Sequence, residues 1–208
     1  GCVAIIFAVS GDLISATFFA FAGIFLDFFD GLVARLLHAQ SQVGLQLDSL
    51  ADVVTSGVVP GIVMVQLLSQ AFTGANMEIT TLFKDSLSQS SWIHFMPFTG
   101  LLIAVASGYR LAKFNVDTSQ KTIFIGLPTP ANTLLILSIP LILNFQATPA
   151  LKTFVLDPWF LIALTLLSCV LLNAKLPLFG LKFMTWNFKD NALRYVFLMV
   201  SVLLLAFV

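Results

Sequence analysis

The sequence predicts an all-α fold, a polytopic transmembrane helical bundle of about six or seven spans, and three observations carry that expectation. Of 208 residues, 59% are hydrophobic and 10% charged, against about 45–50% and about 25% in ordinary soluble domains; mean hydropathy is +1.01. The apolar residues fall into runs close to the roughly 20 residues a helix needs to cross a hydrocarbon core. These runs lack the alternation of a barrel strand, and helices satisfy every backbone amide in lipid.

In chain order, a partial span precedes Val9, and spans follow near Leu13 to Leu37, Leu45 to Leu68, Trp92 to Leu111, Pro128 to Phe145, Phe154 to Leu172 and Ala192 to Val208. Polar connectors separate them at Ser10 to Asp12, His38 to Gln42 and Ser69 to Ser91, with basic ones at Lys113 to Lys121 and Lys175 to Lys189. Pro128, Pro140 and Pro158 stand at or near span ends, and Pro60 and Pro140 are positions where a helix would kink. A single integral-membrane domain, residues 1–208, is expected. Because the chain opens on Gly1 with a short first run, an N-terminal segment is expected to be missing.

Ten Lys and Arg balance ten Asp and Glu, so no basic field is available to hold nucleic acid. If each run crosses once, Arg35, Arg110, Lys113, Lys121, Lys175, Lys182, Lys189 and Arg194 share one side and Lys84 and Lys152 the other. That asymmetry makes the first side cytoplasmic. Cys2 and Cys169 lie far apart with no CxxC and read as small buried hydrophobes.

Four acids, Asp27, Asp30, Asp48 and Asp52, fall at the inner ends of two neighbouring spans, where a central charge would cost at least about 2.5 kcal/mol. At about 100° per residue each pair shares a helix face, so two facing pairs can form one cluster. Nearby bases are too few to neutralise it, whereas divalent cations would. Carboxylate oxygens point to Mg²⁺, Mn²⁺ or Ca²⁺ rather than Zn²⁺. Gly31, Ala34 and Gly44 lie on the same faces and leave room either for a ligand or for close helix packing.

Written out, the segment is Asp27-Phe-Phe-Asp30-Gly31-Leu-Val-Ala34-Arg35, eight residues, then Gly44-Leu-Gln-Leu-Asp48-Ser-Leu-Ala-Asp52. It resembles the signature of the CDP-alcohol phosphatidyltransferases, with every fixed position and gap in place. Leu47 to Gly61, Arg110 to Val116 and Phe124 to Asn132 are similar to stretches of that family's bacterial phosphatidylserine synthase branch. Thr129 and Asn132 depart from it, standing where apolar or small residues are expected.

The resemblance implies an integral enzyme of the bacterial inner membrane, multi-pass, with its active site facing the cytoplasm. It implies transfer of the phosphatidyl group from CDP-diacylglycerol to L-serine, with Mg²⁺ or Mn²⁺ as cofactor and a homodimer as the assembly. Asp27, Asp30 and Asp48 match the family's metal ligands; Asp52 matches the residue that completes the metal site and serves as general base. Gly31, Ala34, Arg35 and Gly44 match positions lining the CDP portion of the donor.

Arg110 and Lys113 are candidates for the acceptor's carboxylate or phosphate, although cations at inner span ends also serve as anchors. Asn115, Thr129 and Asn132 could supply hydrogen bonds from adjacent connectors or cap a helix. A sister transferase using glycerol 3-phosphate or inositol phosphate is the alternative within the family. Outside it stands a cation transporter, which should show inverted repeats and acids at the midplane.

Overall fold

The computed structural model describes residues 1–37, 41–78, 93, 95–116, 124–146, 148–174 and 177–178. Helix α1 (Cys2–Val9) turns through Gly11, held at φ +84°, into α2 (Leu13–Leu36). Asp12 starts α2, its Oδ1 accepting the Ser15 N–H at 3.0 Å. Ser41 does the same for α3 (Gln42–Val53), its Oγ accepting the Gly44 N–H at 3.0 Å.

Helix α3 runs through a π-helical turn (Val54–Val58) into α4 (Val59–Thr73). Together they make a continuous 32-residue rod, ended by Gly74 in the left-handed conformation at φ +75°. A 3₁₀ helix (Met96–Leu101) feeds α5 (Leu102–Val116); then come α6 (Thr129–Phe145), α7 (Pro149–Val155) and α8 (Pro158–Asn173). Strands β1 (Phe124–Ile125) and β2 (Pro177–Leu178) pair antiparallel, with Phe124 opposite Leu178.

The core gathers around α4, whose Val59, Val63, Met64, Leu67 and Leu68 are fully buried and which packs against α1, the 3₁₀ helix, α5, α6 and α8. Gly100 permits a close approach of the 3₁₀ helix, since a Cβ there would lie 2.8 Å from the Val65 backbone nitrogen. By contrast α3 buries none of its residues, so one rod passes from a core helix to an open, exposed one. Phe18, Phe25, Leu26 and Phe28 are exposed along α2, the apolar surface that lipid tails would cover.

The all-helical expectation holds for the bundle, with the two-residue strands as its one addition among the described residues. Leu13–Ala34 and Gln42–Thr73 are long and apolar enough to cross a membrane. Helices α7 and α8 make a third candidate if counted together, but they meet at 54°. The expected single run from Phe154 to Leu172 is therefore broken. Asp157 accepts the N–H groups of Trp159 and Phe160 at 2.9 and 3.0 Å, starting a new helix just before Pro158.

The count of six or seven spans is not reached among the described residues: α1 has 8 residues and α6 has 17. The span expected at Ala192 to Val208 lies outside the described residues. Two boundaries also move. Helix α3 starts at Gln42 rather than Leu45, and α5 continues to Val116, which puts Lys113 and Asn115 on a helix instead of in a connector. Both cysteines are free, and Cys2 is exposed rather than buried.

Candidate active site

The C-terminal end of α2 and the start of α3 face each other across an open cleft of about 800 Å³. Its lining includes Asp27, Asp30, Gly31 and Ala34 from α2, and Gly44 and Asp48 from α3. Asp27 and Asp30 share a face one turn apart; the Ser41 cap fixes where α3 begins and so where Gly44 and Asp48 point. With small residues along both walls, the cleft stays wide where larger side chains would close it.

One carboxylate oxygen from each of Asp27, Asp30 and Asp48 lies within 4.8 Å of the others. Carboxylates at that separation repel one another when charged, and Asp52 acts electrostatically on Asp27 as well. No His or Cys joins the group among the described residues. The donor set is hard oxygen on a partly open site, which fits Mg²⁺ or Mn²⁺ with remaining positions for water or phosphate oxygens.

Asp52 is half-buried and stands outside that group of three. Four residues of helical rise carry Asp52 about 6 Å beyond Asp48 along the axis of α3. There it meets the field of Arg110 from α5, whose Nε is buried without a hydrogen-bond partner among the described residues. Lys113, on the same helix, is exposed. Neither Arg110 nor Lys113 lines the cleft. Arg35 lies on α2, with its side chain outside the described residues.

The polar residues proposed as acceptor contacts are otherwise engaged or enclosed. Asn115 Nδ2 donates to Ser49 Oγ at 2.9 Å and to Gln46 Oε1 at 3.2 Å, joining α5 to α3. Thr129 and Asn132 are buried inside the bundle, 1% and 0% exposed. The Thr129 carbonyl accepts from Thr133 Oγ1 at 2.9 Å. The Ser41 cap carries a readable sequence signal, a serine just before the helical run, whereas Thr133 has no local signature.

Comparison with known proteins identifies the family. Residues 1–171 match the family model of the CDP-alcohol phosphatidyltransferases. The chain is 37% identical over 134 residues to a Bacillus subtilis protein, covering 62% of each. It is 30% identical over 200 residues to one from Helicobacter pylori, covering 95% of this chain and 74% of the relative. A Mycobacterium bovis protein is 32% identical over 186 residues, covering 86% and 56%. All three bear the name CDP-diacylglycerol–serine O-phosphatidyltransferase. The chain thus spans less than two thirds of the length of the Bacillus and Mycobacterium relatives.

Proposed function

The chain belongs to the CDP-alcohol phosphatidyltransferase family, and we propose that it transfers the phosphatidyl group of CDP-diacylglycerol to L-serine, giving phosphatidylserine and CMP. The observation that carries this reading is the three-carboxylate group on the wall of a cleft kept open by Gly31, Ala34 and Gly44. The shared name of the relatives supports serine over glycerol 3-phosphate or inositol phosphate as acceptor.

Asp27, Asp30 and Asp48 would hold Mg²⁺ or Mn²⁺, which when bound neutralises charge on the phosphates and on the departing CMP. Gly31, Ala34, Arg35 and Gly44 border the donor, the glycines letting its pyrophosphate approach backbone. Asp52, adjoining the metal ligands, takes the proton of the serine hydroxyl as its oxygen bonds to the phosphorus bearing diacylglycerol and the bond to CMP breaks. An aspartate is a weak base for an alcohol, so its contribution lies in placement and in transfer concerted with bond formation. Arg110 and Lys113 are the cations proposed for the serine carboxylate, Arg110 being the better placed through its proximity to Asp52.

We place the enzyme in the bacterial inner membrane as a single multi-pass domain of six or seven spans. In that placement the cleft faces the cytoplasm, where cytidine nucleotides and serine reside, and the acyl chains remain in lipid. A homodimer is the proposed assembly. The test is CMP release from CDP-diacylglycerol by the purified chain in detergent. L-serine, glycerol 3-phosphate and inositol phosphate serve in turn as acceptor, each with and without Mg²⁺ or Mn²⁺. Metal-dependent release with serine alone is expected; release with another acceptor would overturn the substrate.

A further inference from the structure

Between the helix that carries Asp48 and Asp52 and the buried helix α4, the rod changes its winding. The turn at Val54–Val58 is π-helical, and the Val59 N–H donates to the Val54 carbonyl five residues back. The sequence supplies a reason. In a continuous α-helix the carbonyl of Ser56 would accept from the N–H of residue 60, and residue 60 is Pro60, which has none and whose ring crowds that same carbonyl. A π-helical turn accommodates the clash by adding one residue to the turn.

What replaces the missing donor comes from 77 positions away. Thr133 Oγ1 on α6 lies 2.9 Å from the Ser56 carbonyl oxygen and 2.9 Å from the carbonyl of Thr129 on its own helix, so its proton is shared between the two. Both Thr133 and Ser56 are 0% exposed, which keeps bulk water from taking over the bond. The extra residue rotates everything before the π-helical turn by about 100° relative to α4. Asp48 and Asp52 lie in that rotated part. If the turn relaxed toward ordinary winding, both carboxylates would swing away from Asp27 and Asp30 while α4 stayed packed.

We propose that Thr133 is a positioning residue for the carboxylate group: by giving the Ser56 carbonyl the donor that Pro60 withholds, it sets the rotation at which α3 presents Asp48 and Asp52 to α2. The proposal rests on the reading of those carboxylates as a metal site. It is tested on the full chain in detergent by titrating Mn²⁺ and following the free ion by electron paramagnetic resonance, beside the Mn²⁺ dependence of CMP release.

Thr133→Val keeps the volume and removes the hydroxyl. It should weaken Mn²⁺ binding about tenfold, as loss of a supporting contact around a metal site does, and shift the Mn²⁺ dependence of turnover in parallel. Thr133→Ser, which keeps the hydroxyl, should bind as the parent does. Wild-type Mn²⁺ affinity in the Val variant overturns the proposal. Should that variant not be recovered folded, Pro60→Ala restores the N–H and should lower Mn²⁺ affinity by letting the turn close; unchanged affinity there overturns it equally. A parent chain that binds Mn²⁺ yet releases no CMP with serine would refute the proposed activity alone, with the titration still deciding the role of Thr133. One that binds no Mn²⁺ would refute both.

Discussion

Asn115 Nδ2 and Ser49 Oγ stand 2.9 Å apart, joining the end of α5 to the middle of α3 across 66 positions of sequence. Ser49 follows Asp48 directly and precedes Asp52 by three residues, so the bond holds the stretch of helix that bears both carboxylates. Replacing Asn115 by Leu should cost about 1 kcal/mol in stability, the usual net worth of such a bond. It should also lower CMP release by more than that loss of folded protein explains. Thermal unfolding in detergent and turnover per folded molecule check the two effects separately.

The three clustered carboxylates and Asp52 should separate by experiment. Asp48→Asn removes one ligand of the group and should weaken Mn²⁺ binding as well as turnover, the latter by on the order of 10²-fold or more. Chelation of the metal should abolish turnover reversibly. Mn²⁺ titration and CMP release on the same preparation check both.

Asp52→Asn keeps the size of the side chain and leaves the group of three in place. Turnover should fall by about 10²- to 10⁴-fold, the range for loss of a positioned general base, while Mn²⁺ affinity changes far less than in Asp48→Asn. Full turnover in the Asn variant would remove Asp52 from the base role.

Ala34→Leu should fill part of the cleft that Ala34 borders. Three additional carbons there should raise the KM for CDP-diacylglycerol by on the order of tenfold or more. The unfolding temperature should move little, because Ala34 faces the cleft and not the core. A series of donor concentrations at fixed serine measures it.

Asp12 lies just outside the first long span. Hydrogen bonds from Ser15, through its side chain first and then its backbone N–H, hold the Asp12 carboxyl below its ordinary value. A depressed folded-state pKa means that its contribution to stability is present above the unfolded value. That contribution is lost as pH falls through the lower folded one. The parent should therefore lose more stability than Asp12→Asn between pH 5 and about pH 3. The difference should be small for so exposed a carboxylate, and unfolding scans of the two proteins at both pH values check it.

Much of this was legible in the linear chain because it depends on local chemistry. Hydropathy and run length located α2, the α3–α4 rod, α6 and α8 to within a few residues, since lipid leaves a long apolar segment little choice but helix. The spacing of Asp27, Asp30, Gly31, Ala34, Gly44 and Asp48 likewise determined which residues could share a helix face. The surroundings of the polar candidates were not legible: Asn115, assigned to a connector, lies on α5 and bonds to Ser49 and Gln46. Asn132 is enclosed in the bundle.

By itself, then, the sequence determined a helical, lipid-compatible chain with a constellation of carboxylates at helical spacing. Tertiary structure alone decided which of them meet. Asp27, Asp30 and Asp48 converge while Asp52 stands a turn away toward Arg110, because that outcome depends on the rotation and axial rise of α3 against α2. Pro60 disfavours ordinary winding at one point, but where the rod settles instead is set by partners such as Thr133 and Asn115. These lie tens of residues distant, and packing, which has no local signature, brings them into contact.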